Sequence, residues 1–558
     1  MHRLAHWLWL PPLVFLAVFY LYPLGSIFAL SFQQGWQPAL LQLLNDSAIH
    51  RVLGFTLWQA LLSTVLTLAL GLPAAYLLAR YDFPGKRLLR AISGVPFVLP
   101  TLVVAAAFNA VLGPRGWFNQ ALVAMGQQPL ELINTFTAIL VAHVFYNTTI
   151  VLRMVGDFWS RLSPRIEQAA STLGANGWRV FTRVTLPMLA PALAAAALLV
   201  FIFNFTSFGV ILVLGGPRFA TLETEIYYQT VALFNLPTAA LLAILQLLCT
   251  LALTIVYTRL SARVSRPVEQ RAPRLRSLKA QPARWLSAVF LAALALFFVA
   301  PLGGLAARSV TRLETDRRQE AAAPGFTLDY YRALGDDPRN NIFFAPPLRA
   351  VQTSLVYAGA TVALALFIGL PASWLLANEA AARSRLVRLL DPLLMLPLGT
   401  SALTLGLGFI VALDTPPLDL RASPLLVPLA HTLVALPFVV RSLVPALRSI
   451  RPRLRQAAAV LGAAPAQVLR TIDVPLVGRA ILAAALFAFA ISVGEFGATA
   501  LIARPEYPTM PVLIYRLLAQ PGALTYGQAM ALSTLLMVFT GGGMLLIERL
   551  RIADVGEF

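Results

Sequence analysis

The chain of 558 residues is 58% hydrophobic and 12% charged, where soluble domains run at roughly 45–50% and 25%, and its mean hydropathy is +0.75. A water-soluble globule is excluded. The net charge of +19 does not point to nucleic acid: arginines gathered in short loops on one side of a membrane follow from the positive-inside rule, and no basic stripe carries nucleic-acid motifs.

Apolar runs long enough for a bilayer core of about 20 residues recur along the whole sequence. Six fall in the first half, at about 8–30, 55–79, 91–113, 135–153, 188–212 and 237–258. Six more fall near 285–307, 351–377, 387–412, 424–446, 479–502 and 526–548. The first run exceeds the core of a signal peptide and lacks a small-residue cleavage site, so it reads as a retained helix. The single Cys249 excludes a disulfide framework or a cysteine-rich metal site, and helix packing must hold the fold. The expected class is an all-α membrane protein of about twelve transmembrane helices.

Basic residues mark alternate loops. Arg80, Lys86, Arg87 and Arg90 follow the second run, Arg161, Arg165, Arg179 and Arg183 the fourth, and Arg263, Arg266, Arg271, Arg274, Arg276 and Lys279 the sixth. The intervening loops carry mixed charge, such as Asp46 with Arg51 and Arg218 with Glu223 and Glu225. Both termini are therefore expected in the cytoplasm, with the protein in a bacterial inner membrane and lipid around it. The expected division is a first six-helix repeat at 1–258, a basic cytoplasmic linker at 259–284, and a second repeat at 285–558. The stretch 308–350, with Asp329, Asp336 and Asp337, is expected to be the largest outside loop.

Self-comparison supplies the repeat. GLPAAYLLAR (71–80) matches GLPASWLLAN (369–378) at an offset of 298, and AHVFYNTTIVLR (142–153) matches AHTLVALPFVVR (430–441) at 288. At 288 the register then holds: Gly174 with Gly462, Pro187 with Pro475, Phe208-Gly209 with Phe496-Gly497, and Tyr227 with Tyr515. Since each half has an even number of spans, the repeats are parallel and related by an axis along the membrane normal.

Between the fourth and fifth runs lies SPRIEQAASTLGANGWRVFTRVTLP (163–187), and its counterpart is RPRLRQAAAVLGAAPAQVLRTIDVP (451–475). Each reads as helix, turn, helix. Ser163 caps with Pro164 at the first position, and Gly174 suits the left-handed residue that ends the first helix. Trp178, Phe181 and Val184 would share a side of the second helix, an apolar surface among arginines that needs covering. An interfacial helix lying on lipid headgroups is the alternative.

The spacing of QAA, a glycine six residues on and a V/I-x-L/V-P signature beyond it resembles, twice, the EAA loop of binding-protein-dependent ABC importer permeases. The resemblance implies a type I-like permease whose two loops dock on a separate ATPase through Gln168, Ala169, Ala170, Gly174 and Pro187, and through Gln456, Ala457, Ala458, Gly462 and Pro475. Both copies depart from the family in carrying glutamine where the motif has glutamate. Glu167 stands beside the first copy and Arg455 in the equivalent place of the second. Segments such as SFGVILVLGG and VGEFGATALIARPEYPTMPVLIY resemble permeases with both halves fused, those for thiamine above all and for ferric iron second. The implied function is import of thiamine or thiamine phosphates, with two copies of a cytosolic ATPase and an external solute-binding protein, periplasmic or lipid-anchored, as partners.

No G-x-x-x-x-G-K-[ST] loop is present, so ATP and Mg²⁺ are expected on the partner and no cofactor or metal on this chain. Nor does any catalytic constellation stand out, and a transport subunit rather than an enzyme is expected. A secondary transporter driven by an ion gradient is the rival class, but LARYDFPGKR lacks its G-x-x-x-D-R signature. Glu495, its repeat mate Ser207, and Asn204 are candidates for the translocation path. His143 and His431 are expected to hydrogen-bond between helices, and Arg153 and Arg441 to snorkel at helix ends. Trp58, Trp117 and Tyr227 are candidates to stack on a cationic ring.

Overall fold

The computed structural model describes residues 8–33, 35, 37–38, 41, 45–264, 276–278, 284–312, 325–336, 346–378, 385–414 and 418–550. Most of the expected linker 259–284, and Asp337 in the expected outside loop, lie outside them.

Among the described residues ten helices are long and apolar enough to cross a membrane, and two further helix pairs bend sharply, giving up to twelve spans. The spans that anchor the description are α1 (Leu10–Ser31), α2 (Ser47–Arg80), the bent pair α3 (Lys86–Val98) and α4 (Thr101–Leu112), and α5 (Phe136–Arg161). Next come α6 (Pro164–Thr172), α7 (Leu186–Phe205), α8 (Leu236–Val264) and α9 (Arg284–Ser309). The second series is α10 (Pro347–Ala377), α11 (Ala402–Ala412), α12 (Leu426–Arg448), α13 (Pro452–Val460), α14 (Val474–Gly494) and α15 (Ala523–Leu550).

Two expected spans are not straight rods. The third bends by 112° between α3 and the helix that follows, and the ninth by 100° ahead of α11. The cause in the first is local: Leu99 precedes Pro100 and is extended at ψ 138, the conformation a following proline enforces. In the second, a 3₁₀ turn at Leu396–Gly399 carries the bend and Ser401 starts α11 by accepting from the Leu403 and Thr404 amides. The expected spans 188–212 and 479–502 are also interrupted. α7 stops at Phe205, and a new helix, Gly209–Leu214, follows; α14 stops at Gly494, and Gly497–Ile502 follows.

Two compact units form. One holds Met1–Leu44, Ile226–Leu247 and Ser309–Phe558, and the other Asn45–Glu225 and Leu248–Arg308. They cut across the sequence repeats: α1 and Ile226–Leu247 fall in the unit built mainly from the second repeat, and α9 in the unit built mainly from the first. In the first unit α1 seats Pro23 and Ile27 against Gly408 of α11, where an added Cβ would come within 3.0 and 3.2 Å of them. The Tyr20 hydroxyl lies 2.8 Å from Thr400 Oγ1. In the second unit α9 presents Gly304 to Val111 of α4, 2.6 Å from an added Cβ, and Phe297 and Phe298 to Phe145 of α5.

Each unit has the same centre. α2, α5 and α7 pack through Ile150, Val151, Val155, Leu189 and Val200, while α10, α12 and α14 pack through Ala365, Val439, Leu443, Ala484 and Ala488. The closest approach recurs in repeat register. An added Cβ at Gly71 would meet Val151 at 2.7 Å, and one at Gly369 would meet Val439 at 2.8 Å. Lipid is as apolar as leucine, so such small-residue contacts, not a hydrophobic drive, bring the helices together.

Candidate functional site

The two loops between the fourth and fifth spans share one local design. α6 ends in a Schellman motif: Gly174 N–H donates to Ser171 O at 3.0 Å, and Ala175 N–H to Ala170 O at 3.1 Å. In the second copy Gly462 N–H donates to Ala459 O at 3.0 Å and Ala463 N–H to Ala458 O at 2.9 Å. Gly174 and Gly462 have φ of +87 and +82, and open space surrounds both, so the backbone angle alone selects glycine. Each loop then re-enters the membrane helix through a π turn, Phe181–Thr185 and Leu469–Asp473. Pro187 and Pro475 follow these turns, and with no N–H to donate they interrupt the regular ladder there.

The surface these loops present differs from the expected one. Phe181 is half-buried, its ring 6.3 Å from that of Trp159, and Val184 is half-buried too. The most exposed apolar side chains are Leu173 (89%) and Trp178 in the first loop and Val460 and Leu461 (87%) in the second. Leu173 and Leu461 are repeat mates, and the leucine just before the glycine in TLG and VLG was the available signal. Gln168, Ala169 and Pro187, with Gln456, Ala457 and Pro475, are exposed beside them, and Ala170 and Ala458 are partly covered.

The loops are braced differently. In the first, Arg80 at the end of α2 donates to Glu167 Oε1 at 2.7 Å and to Leu162 O at 3.0 Å, and Thr185 Oγ1 donates to the same Glu167 oxygen at 3.1 Å. In the second, Arg455 Nε donates to Asp473 Oδ1 at 2.8 Å.

A second pair of equivalent sites lies at the breaks after α7 and α14. His143 of α5 bridges Ser63 Oγ (3.0 Å) and Ser207 Oγ (2.9 Å). Beside it Asn204 Oδ1 accepts from Asn147 Nδ2 at 2.7 Å and Asn204 O accepts from Gln59 Nε2 at 2.7 Å. In the second repeat His431 bridges Ser492 Oγ and Thr499 Oγ1, both at 2.8 Å. Glu495 occupies the position of Ser207 and caps the new helix, Oε1 accepting from the Ala498 amide (2.9 Å) and Oε2 from the Thr499 amide (3.1 Å) and hydroxyl (2.6 Å). Asn204, Ser207 and Glu495 are thus buried in helix-packing networks, and both histidines join helices as expected.

Of the aromatic candidates, Trp58 is half-exposed, Trp117 Nε1 donates to Gly304 O at 3.2 Å, and Tyr227 is hydrogen-bonded to its repeat mate Tyr515. The Arg153 guanidinium lies against Gly94, 2.7 Å from where a Cβ would stand, and Arg441 Nε faces Met395 Sδ at 3.3 Å. A cleft of about 460 Å³ is lined by Asp414, Asp419, Arg421 and Arg504. Three of these charges pair locally, Arg421 with Asp414 at 2.5 Å and Arg504 with Glu506 at 3.2 Å.

Paired helical repeats with two turned-out loops define a membrane transport component, and the comparisons agree. Residues 67–266 match the family of binding-protein-dependent transport system inner membrane components. The chain is an ABC importer permease, a multi-pass inner-membrane protein. Its relatives include the thiamine transport system permease protein ThiP of Brucella abortus (strain 2308), 28% identical over 529 residues, 94% of this chain and 92% of that protein. ThiP of Escherichia coli (strain K12) is 27% identical over 505 residues, covering 89% and 88%. ThiP of Haemophilus influenzae is 34% identical over 248 residues, 44% of this chain and 45% of that one. Among solved structures, a bacterial ABC transporter involved in import of the acidic polysaccharide alginate matches with a TM-score of 0.40 and 18% identity, over 46% of this chain and 94% of that chain.

Proposed function

We propose that this chain forms the whole membrane path of an ATP-driven, binding-protein-dependent importer for thiamine or thiamine phosphates. The observation that carries the solute is similarity to thiamine permeases over 94% of the chain. Two copies of a cytosolic ATPase grip the two loops through Leu173, Trp178, Val460 and Leu461, exposed side chains that water disfavours. An external binding protein delivers solute, both termini lie in the cytoplasm, and ATP and Mg²⁺ are handled by the ATPase alone. Closure of the ATPases draws the loops together and rocks the membrane helices, exchanging outward for inward access. Asn204, Ser207 and Glu495 act on the path by holding the two helix breaks.

The test is co-purification followed by uptake. Wild-type chain retains a nucleotide-binding subunit. Gly174→Val with Gly462→Val forces a β-branched residue into the left-handed region at about 1–2 kcal/mol per loop, and the ATPase is released. In proteoliposomes with the binding protein, labelled thiamine enters only with ATP. Uptake without ATPase or ATP would sink the importer reading, and uptake of ferric iron in place of thiamine would reassign the solute.

A further inference from the structure

Tyr227 and Tyr515 are repeat mates whose hydroxyls hydrogen-bond to each other. Contact between mates is a strong constraint. A two-fold axis sets equivalent atoms at equal distances on its opposite sides, so mates that touch must stand beside the axis itself. Both tyrosines belong to the unit of Met1–Leu44, Ile226–Leu247 and Ser309–Phe558. Their helices, Leu222–Val231 and Met510–Leu518, are hung in equivalent ways. The Leu222 amide donates to Thr56 Oγ1 of α2 at 3.0 Å, and the Met510 amide to Ser354 Oγ of α10 at 2.8 Å. Thr56 and Ser354 are themselves mates, at the offset of 298 that relates GLPAAYLLAR to GLPASWLLAN. At 1.5 Å per residue, Thr56 lies about 36 Å along α2 from Arg80, and Arg80 reaches the first loop at Glu167. That separation exceeds the hydrocarbon core of about 30 Å. The tyrosines therefore stand toward the membrane face opposite the loops.

We propose that Tyr227 and Tyr515 form the gate that closes the solute path at that face. The inference rests on the importer function proposed above. A path shared by two parallel repeats follows the axis that relates them, and two phenol side chains joined across the axis obstruct any solute on it. Their bond is neutral and both residues are only partly buried, so parting them costs little, which suits a contact that must open in every cycle. Tyr515 is also tied to the helix break after α14. Its ring lies 5.8 Å from that of Phe496, which directly follows Glu495 and is 4% exposed. A shift at the break therefore moves Tyr515 relative to Tyr227.

The experiment uses the full chain with its ATPase subunit and binding protein in proteoliposomes, and labelled thiamine as the probe. Tyr227→Cys with Tyr515→Cys, in a chain whose native thiol is removed by Cys249→Ser, is bridged by a cleavable bifunctional thiol reagent about as long as the two tyrosine side chains. Bridging stops uptake and cleavage of the bridge restores it, while either cysteine alone treated with the same reagent still transports. The bridge forms readily without nucleotide and several-fold less when the complex is trapped with ATP and binding protein. Tyr227→Phe and Tyr515→Phe, which keep both rings and lose only the bond, raise passive escape of thiamine from loaded, ATP-free vesicles roughly two- to tenfold, the range of one neutral hydrogen bond. Full uptake by the bridged chain, equal bridging in both states, or an unchanged leak in both Phe variants overturns the gate. Wild-type vesicles with no ATP-driven uptake would instead fail the importer reading, and this inference with it.

Discussion

The breaks after α7 and α14 occupy equivalent places in the two repeats yet are finished differently. At the second break Glu495 accepts from two amides and one hydroxyl, and His431 Nε2 stands 3.3 Å from its carboxylate. Ser492 also donates to Thr361 Oγ1 at 3.1 Å, so each member of the cluster has a partner. At the first break the serine in place of Glu495 leaves the cluster without a carboxylate. Three of its buried atoms, Gln59 Oε1, Asn147 Oδ1 and Asn204 Nδ2, have no protein partner. A half-satisfied polar network in a low-dielectric interior is costly, so the first break is the softer of the two. The difference teaches that a repeat can keep a shape, here a helix stopped at the same point, while distributing rigidity unequally.

Removing the carboxylate tests that most severely. Glu495→Leu orphans two buried amides, each worth about 1–3 kcal/mol, while the Thr499 hydroxyl keeps His431, and a loss of roughly 3–5 kcal/mol in detergent thermal unfolding is expected. Glu495→Gln, which keeps an acceptor, costs about 1 kcal/mol. A Leu variant as stable as wild type would remove the basis for calling the second break rigid. Next come the histidines. His431→Leu strips Ser492 and Thr499 of a partner inside a full network, whereas His143→Leu acts where the network is already open. Losses of about 2–3 and 1–2 kcal/mol follow, and equal values would erase the asymmetry. The smallest effect belongs to Gln59→Met. It gives up one bond to Asn204 O but also removes the unpaired Gln59 Oε1, so stability stays within about 1 kcal/mol. A drop of the size seen for Glu495→Leu would show that the first cluster is as tightly held as the second.

Several of these features were legible in the chain. The pairing of His143 with His431 and of Ser207 with Glu495 stood in the repeat register, and burial of a carboxylate at Glu495 could be anticipated from its place in an apolar run. Its partners could not. Ala498 and Thr499 lie three and four residues on, where a continuous helix would have spent their amides on the carbonyls of residues 494 and 495; only the stop at Gly494 leaves those donors to the carboxylate. The same holds in the loops. Glu167 and Arg455 stood out as unequal, but Arg80 lies 87 residues from Glu167 and nothing local joins them.

Composition, run length and charge alternation by themselves determined the membrane class, the twelve apolar segments, the double loop and its glycine turns, because hydropathy and backbone angle are properties of short windows. The tertiary structure alone decided that α1 and α9 pack in units built mainly from the opposite repeat, that two spans bend by 112° and 100°, and which donors meet Glu167 and Glu495. The reason is physical. In lipid every apolar face is equally content, so the choice of neighbour falls to close contacts at Gly71, Gly304, Gly369 and Gly408 and to polar groups seeking partners, and those depend on distances between residues that no sequence window contains.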